Sequence, residues 1–184
     1  ANDINEDVVL MWENLQRGWL PPKTCSKEEF EKLKRSDYPS PERGFVGHAC
    51  SYGGGFFGSY NKNTKTNNAR AGYDAISKYI PYIKDIEFST GSYNDYSPKK
   101  MLIYCDPPYK RTIGTGIAKN LRNFNCDKFW NTIRKWSKNN LVFISEEEAP
   151  DDFVCIWEKQ VSRPKIGNWE GDSKVKSLKS NECL

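Results

Sequence analysis

Apolar positions recur at helical spacing in three stretches of the chain. Behind an acidic first turn of Glu6 and Asp7, residues Val8, Val9, Leu10, Trp12 and Leu15 trace one helix. Asn5 suits its cap, Gly18 ends it, and Pro21-Pro22 enforces a break. Ser26-Lys-Glu-Glu29 has the form of a capping box and predicts a short helix through about Arg35. A loop follows from Ser36 to Pro41. A helix is expected over Thr64–Tyr79, ahead of Pro81. Another runs over Cys126–Lys138, carried by Phe129, Trp130, Ile133 and Trp136 behind Asn125. Short apolar runs predict strands at Ala1–Ile4 (a strand end or loop), Ile86–Phe88, Met101–Cys105 (a central strand), Leu141–Ser145 and Phe153–Val161. The polar stretch Gly167–Ser180 reads as mobile. Strands alternating with helices predict an α/β domain with a mostly parallel sheet over 1–184, with sites at the carboxyl ends of its strands.

Gly44–Asn63 breaks this rhythm, with six glycines among five large aromatics. Two readings stay open. The segment is a glycine-rich loop whose aromatics fold back over the core, or it offers flat faces and cations to a nucleic acid. Residues Arg43, Lys62, Lys65 and Arg70 lie in or beside it, with Glu42 the only acid of that stretch.

Composition adds bounds. The 184 residues suffice for one domain with its own core. Mean hydropathy is low at -0.80, but 14 % of residues are aromatic and bury much area each. A net charge of +4 does not by itself identify a polyanion partner. Six cysteines are scattered without a Cys-x-x-Cys pair and the chain has one histidine, His48, so no metal site is expected. Reduced thiols and an intracellular setting are expected. No run has transmembrane length, so no membrane partner is expected.

The segment with the most specific chemistry is Asp106-Pro107-Pro108-Tyr109, directly after the apolar run Met101–Cys105. By composition alone such a tetrapeptide is expected by chance on the order of once in a thousand chains of this size. An exocyclic amine of adenine is a poor nucleophile, because its lone pair is delocalised into the ring. Acceptors aimed at its two N–H hydrogens return electron density to the nitrogen. The Asp106 carboxylate and the Pro107 carbonyl can serve, and the fixed φ of proline holds that carbonyl in place. Tyr109 offers a face for a base lifted out of its helix. Positioning and electrostatics would supply most of the rate of methyl transfer.

With these residues the chain resembles the Dam-like DNA adenine-N6 methyltransferases of phages and viruses, over nearly its whole length. Ala1–Glu6 is similar to that family's second motif, which implies S-adenosyl-L-methionine binding through Asp3 and Ile4, with Asp106 also at the cofactor; an ordinary helix-start acid is the other reading of Asp3. Cys50–Tyr60 is similar to a DNA-facing stretch, although the family often has lysine where Gly55 stands. Ile86–Tyr93 resembles the third motif, although the family usually has an acid at Ser92. Val142–Asp152 with Trp157-Glu-Lys159, and the closing Lys179–Leu184, resemble the strand, hairpin and tail that follow. The resemblance implies a Rossmann-like methyltransferase fold, with 18–63 as an inserted target-recognition segment. The family's first strand and its glycine-rich turn precede the second motif, so that strand is expected to be missing here.

The implied function is site-specific methylation of adenine N6 in double-stranded DNA, in a bacterial or host cytoplasm or nucleus, or with a virion. Catalysis would rest on Asp106, Pro107, Pro108 and Tyr109, and DNA contacts on Tyr60, Lys62, Arg70, Lys110 and Arg111. For each of these cations the ordinary solvated surface charge is the competing reading. The main alternative is an inactive remnant that serves as a structural or binding component, with another chain covering its open sheet edge. Transfer to cytosine N4, RNA or protein fits the leading Asp106 and its surroundings less well.

Overall fold

The structure is a computed structural model that describes residues 1–62, 66–109, 124–163 and 178–183, the last six and 159–163 through their backbone alone. It is mixed α/β, with short parallel strands and, among the described residues, six α-helices. The chain divides into two compact units, Ala1–Tyr96 and Ser97–Leu184.

The first unit is mainly helical. α1 (Glu6–Gln16) starts where Asn5 caps the Asp7 amide through its side chain, and Gly18 with φ of 91° follows its end. α2 (Lys27–Arg35) opens on the complete Ser26/Glu29 capping box. Both match the sequence pattern, because local capping chemistry sets their ends. The core unites Met11 and Leu15 of α1 with Phe30 of α2, Phe45 and Val46, and Phe57.

The glycine-aromatic segment contains a helix that apolar periodicity did not reveal. α3 (Pro41–Ala49) has Pro41 in its first turn, and the Ser40 side chain accepts from the Arg43 amide. Its glycines serve close packing rather than a loop. A Cβ on Gly44 would stand 2.2 Å from the Asp7 carbonyl oxygen of α1, and one on Gly47 would meet the Phe56 ring at 2.5 Å. The chain then turns through 52–54 with Gly53 and Gly54 at positive φ, and an antiparallel bridge joins Ser51 to Tyr60. Phe45 and Phe57 are buried, and Phe56 packs against the same core. Thus the fold-back reading holds for these rings. Tyr52, 69 % exposed, is the large aromatic of the segment that faces solvent.

A buried ion pair fastens α3 to α1. The Arg43 Nε donates to both Asp7 oxygens at 3.0 and 3.2 Å, and the Ser40 amide donates to Asp7 Oδ1 at 2.8 Å. The same guanidinium donates to the Leu33 and Ser36 carbonyls at the end of α2.

The remaining elements of this unit are shorter than their patterns suggested. α4 (Asn68–Ile76) begins at the Asn67 cap, later than the expected Thr64, and ends before Tyr79. Pro81 lies inside a one-turn helix, α5 (Ile80–Ile83), where early proline is tolerated. The strand expected at Ile86–Phe88 is displaced: β2 is Ser89–Thr90, paired in parallel with β1 (Asn2–Asp3). Phe88 instead stacks on Trp12, with centroids 6.2 Å apart, so its apolar signal reports packing on α1.

In the second unit β3 (Leu102–Cys105) pairs in parallel with β4 (Leu141–Ile144), Leu102 opposite Leu141 and Cys105 opposite Ile144. Between them in sequence lies α6 (Cys126–Ser137), capped by Asn125 as expected and packed on β4. Its Phe129 and Ile133 are buried, as is Ile144. Trp130 meets Phe153 at 4.8 Å, and Arg134 forms a two-point pair with Asp152 at 2.6 and 2.7 Å. Among the described residues β3 has a partner on one side only. Leu102 and Tyr104 are 67 % and 59 % exposed on one of its faces.

β5 (Glu158–Arg163) and β6 (Leu178–Cys183) form an antiparallel pair. The strand expected from Phe153 therefore begins five residues later, and Leu178–Ser180, expected to be mobile, is strand. The rest of the Gly167–Ser180 reading lies outside the described residues.

Candidate active site

The parallel ladder of β3 and β4 sets the site. The Ser145 amide donates to the Cys105 carbonyl at 2.9 Å, which extends the pairing one step past β4. Both chains then leave the sheet at their carboxyl ends, the place where open α/β sheets hold their sites. One continues as Asp106-Pro107-Pro108-Tyr109, the other as Ser145-Glu146.

Asp106 is exposed, Pro107 is buried, and Pro108 and Tyr109 are half-buried. The Tyr109 hydroxyl lies 3.2 Å from Ser145 Oγ, so one hydroxyl donates to the other. Ser145 and Glu146 are buried, and Glu146 Oε1 accepts from the Glu147 amide at 2.8 Å. Burial pushes the Cys105 thiol, immediately before Asp106, up to about 11. At neutral pH it is a protonated wall of the turn and not a nucleophile.

Asp3 and Ile4 belong to the first unit. Asp3 ends β1, and its backbone carbonyl accepts from the Gly91 amide at 3.0 Å. Its Oδ1 accepts from the Asn5 amide at 2.7 Å, which ties the carboxylate to the turn into α1. Asp3 and Ile4 are both exposed, Ile4 at 75 %. Asp3 thus supports the turn into α1, as an ordinary helix-start acid does. Ser92 is engaged in a turn of its own, where its Oγ accepts from the Asn94 amide and Asp95 accepts from the Ser92 amide.

Of the expected DNA-side residues, Tyr60, Lys62 and Arg70 are described. Tyr60 is half-buried; its hydroxyl donates to the Cys25 carbonyl at 2.8 Å and its ring packs edge-on against Phe30 at 5.4 Å. That is the setting of a core residue. Arg70 is exposed and pairs with Asp74 one helical turn away, at 2.9 Å. Lys62 is exposed. Lys110 and Arg111 lie outside the described residues, as does Lys65. Among the described residues no cluster of His, Cys, Asp and Glu could hold a metal ion. Nor is any described helix long and apolar enough to cross a membrane.

Sequence reading missed Ser145 and Glu146 as site residues. The available signal was topological: a second strand ending beside the first places its next residues at the same mouth. The apolar run Leu141–Ile144 marks that strand, but only its register against β3 brings Ser145 to Tyr109. Compared with known proteins, the chain matches no family model and no curated protein.

Proposed function

We propose that this chain is a DNA adenine-N6 methyltransferase using S-adenosyl-L-methionine, with a Rossmann-like methyltransferase architecture. The observation that carries the reading is the place of Asp106-Pro107-Pro108-Tyr109, directly after a parallel strand, with Asp106 an exposed residue and Pro107 a buried one. The exposed Asp106 carboxylate accepts one amine hydrogen of the adenine and the Pro107 carbonyl accepts the other. As the nitrogen would gain the methyl group and the bonding pair of the broken C–S bond would stay on the departing thioether, these acceptors would stabilise the positive charge that develops on the nitrogen, whose surplus proton would leave through the Asp106 carboxylate to solvent. Tyr109 stacks on the flipped base. Asp3 would hold the ribose of the cofactor, with Ile4 beside it. The bound cofactor supplies an electrophilic sulfonium methyl group. Tyr60, Lys62, Arg70, Lys110 and Arg111 are proposed as the DNA-side residues.

The test is Asp106→Ala in an assay of methyl transfer to unmethylated duplex DNA. Transfer should be lost while the far-ultraviolet circular dichroism stays unchanged. Unchanged transfer would refute the role of Asp106.

A second reading has its own observation. Met101, Leu102, Tyr104 and Leu141 are each more than half exposed, on or beside the β3–β4 pair. Parallel strands are ordinarily covered on both faces. A catalytically inactive chain that buries this surface against another chain in a larger assembly, viral or cellular, would account for it. Calorimetric titration separates the two: the enzyme binds S-adenosyl-L-methionine, and the binding component does not.

A further inference from the structure

Ser145 touches the tetrapeptide at both ends. Its amide donates to the carbonyl of Cys105, the residue before Asp106, at 2.9 Å. Its hydroxyl pairs with the hydroxyl of Tyr109, the last residue of the four, at 3.2 Å. Between these two attachments lie Asp106 and two prolines whose φ angles are fixed by their rings. A four-residue turn with two rigid members has little freedom left once both ends are held. Ser145 is itself buried, at 7 % exposure, and continues the β3–β4 ladder, so its side chain starts from a fixed backbone.

We infer that Ser145 is the positioning residue of the adenine site. Its backbone holds the entrance of the Asp106–Tyr109 turn, and its hydroxyl fixes the position of the far end of the Tyr109 ring. The inference rests on the methyltransferase reading for its purpose, because the place of the ring matters where a base must stack on it. Ser145 does not contact the reacting nitrogen. It acts through Tyr109, and through the turn it acts on the Pro107 carbonyl. Hydroxyl pairing suits this task, since a Ser–Tyr contact restrains the ring at its far end.

Two readouts test it, one independent of activity. The first places 3-fluorotyrosine at position 109 and follows its fluorine resonance. Ser145→Ala should move and broaden that resonance, and Ser145→Thr, which keeps a hydroxyl, should restore it. The second is methyl transfer to unmethylated duplex DNA. Ser145→Ala should lower kcat by about 10- to 100-fold, in line with the cost of misplacing a reacting group by an ångström, with KM for S-adenosyl-L-methionine unchanged. Tyr109→Phe, which removes only the partner hydroxyl, should lower kcat to the same degree, and the double variant should be no worse than either. A resonance that does not respond to Ser145→Ala overturns the inference, and so does full transfer by that variant. If the resonance responds but the unaltered chain transfers no methyl group, the contact stands and the methyltransferase reading fails.

Discussion

Replacing Asp7 with alanine should destabilise the first unit more than any exposed substitution. The carboxylate is 6 % exposed and holds two groups at once, the Arg43 guanidinium and the Ser40 amide. Removing it strands a cation whose side chain is only 13 % exposed. Breaking a buried pair by deleting one partner costs about 3 to 5 kcal/mol. Here the lower end applies, because Arg43 keeps the Leu33 and Ser36 carbonyls and lies 5.1 Å from the Phe57 ring. A loss of about 3 kcal/mol is a large share of the 5 to 15 kcal/mol that typically holds a domain. With an ordinary slope for a small unit it lowers the urea midpoint by about 2 M. Circular dichroism at the helix band reads mainly this unit, which holds α1 to α5, against α6 alone among the described helices of the second. Asp7→Leu combined with Arg43→Met removes both charges and should recover much of the loss. A single-variant midpoint within about 0.5 M of the unaltered chain would refute the assigned weight of the pair.

Other outcomes follow from single contacts. Ser26→Ala removes the hydroxyl that caps the Glu29 amide at 3.1 Å and should cost about 1 kcal/mol in the same urea titration; no change would mean the capping box carries no stability. Burial raises the thiols of Cys25 and Cys105 from 9.0 to about 12 and about 11. Their contribution to stability is therefore full below pH 9 and falls as pH rises through those values, because the unfolded thiols ionise first. Alkylation of the folded chain at pH 8 should accordingly mark exposed Cys155 well before Cys25 or Cys105. Equal labelling of Cys105 and Cys155, followed by peptide mass, would contradict the half-buried placement of Cys105.

The elements that sequence revealed are those whose ends are set by short-range chemistry. α1, α2 and α6 each have a capping side chain and an apolar stripe, and they begin at Asn5, Ser26 and Asn125 as their residues indicate. α3 was hidden because its glycines imitate a loop; their purpose, the approach of Asp7 and of the Phe56 ring, belongs to the tertiary structure. The displaced β2 has a similar cause. Phe88 is apolar because it stacks on Trp12, not because it lies in a strand. At the candidate site the tetrapeptide was legible and its partner was not. Ser145 has no local signature, and only the register of two strands brings it to Tyr109.

The central claim is tested most directly by incubating the chain with methyl-tritiated S-adenosyl-L-methionine and unmethylated duplex DNA, then digesting the DNA and separating its nucleosides. The account predicts label in N6-methyl-2′-deoxyadenosine, absent when Asp106→Ala replaces the unaltered chain. Label in a cytosine nucleoside, or no label in any nucleoside, would contradict it.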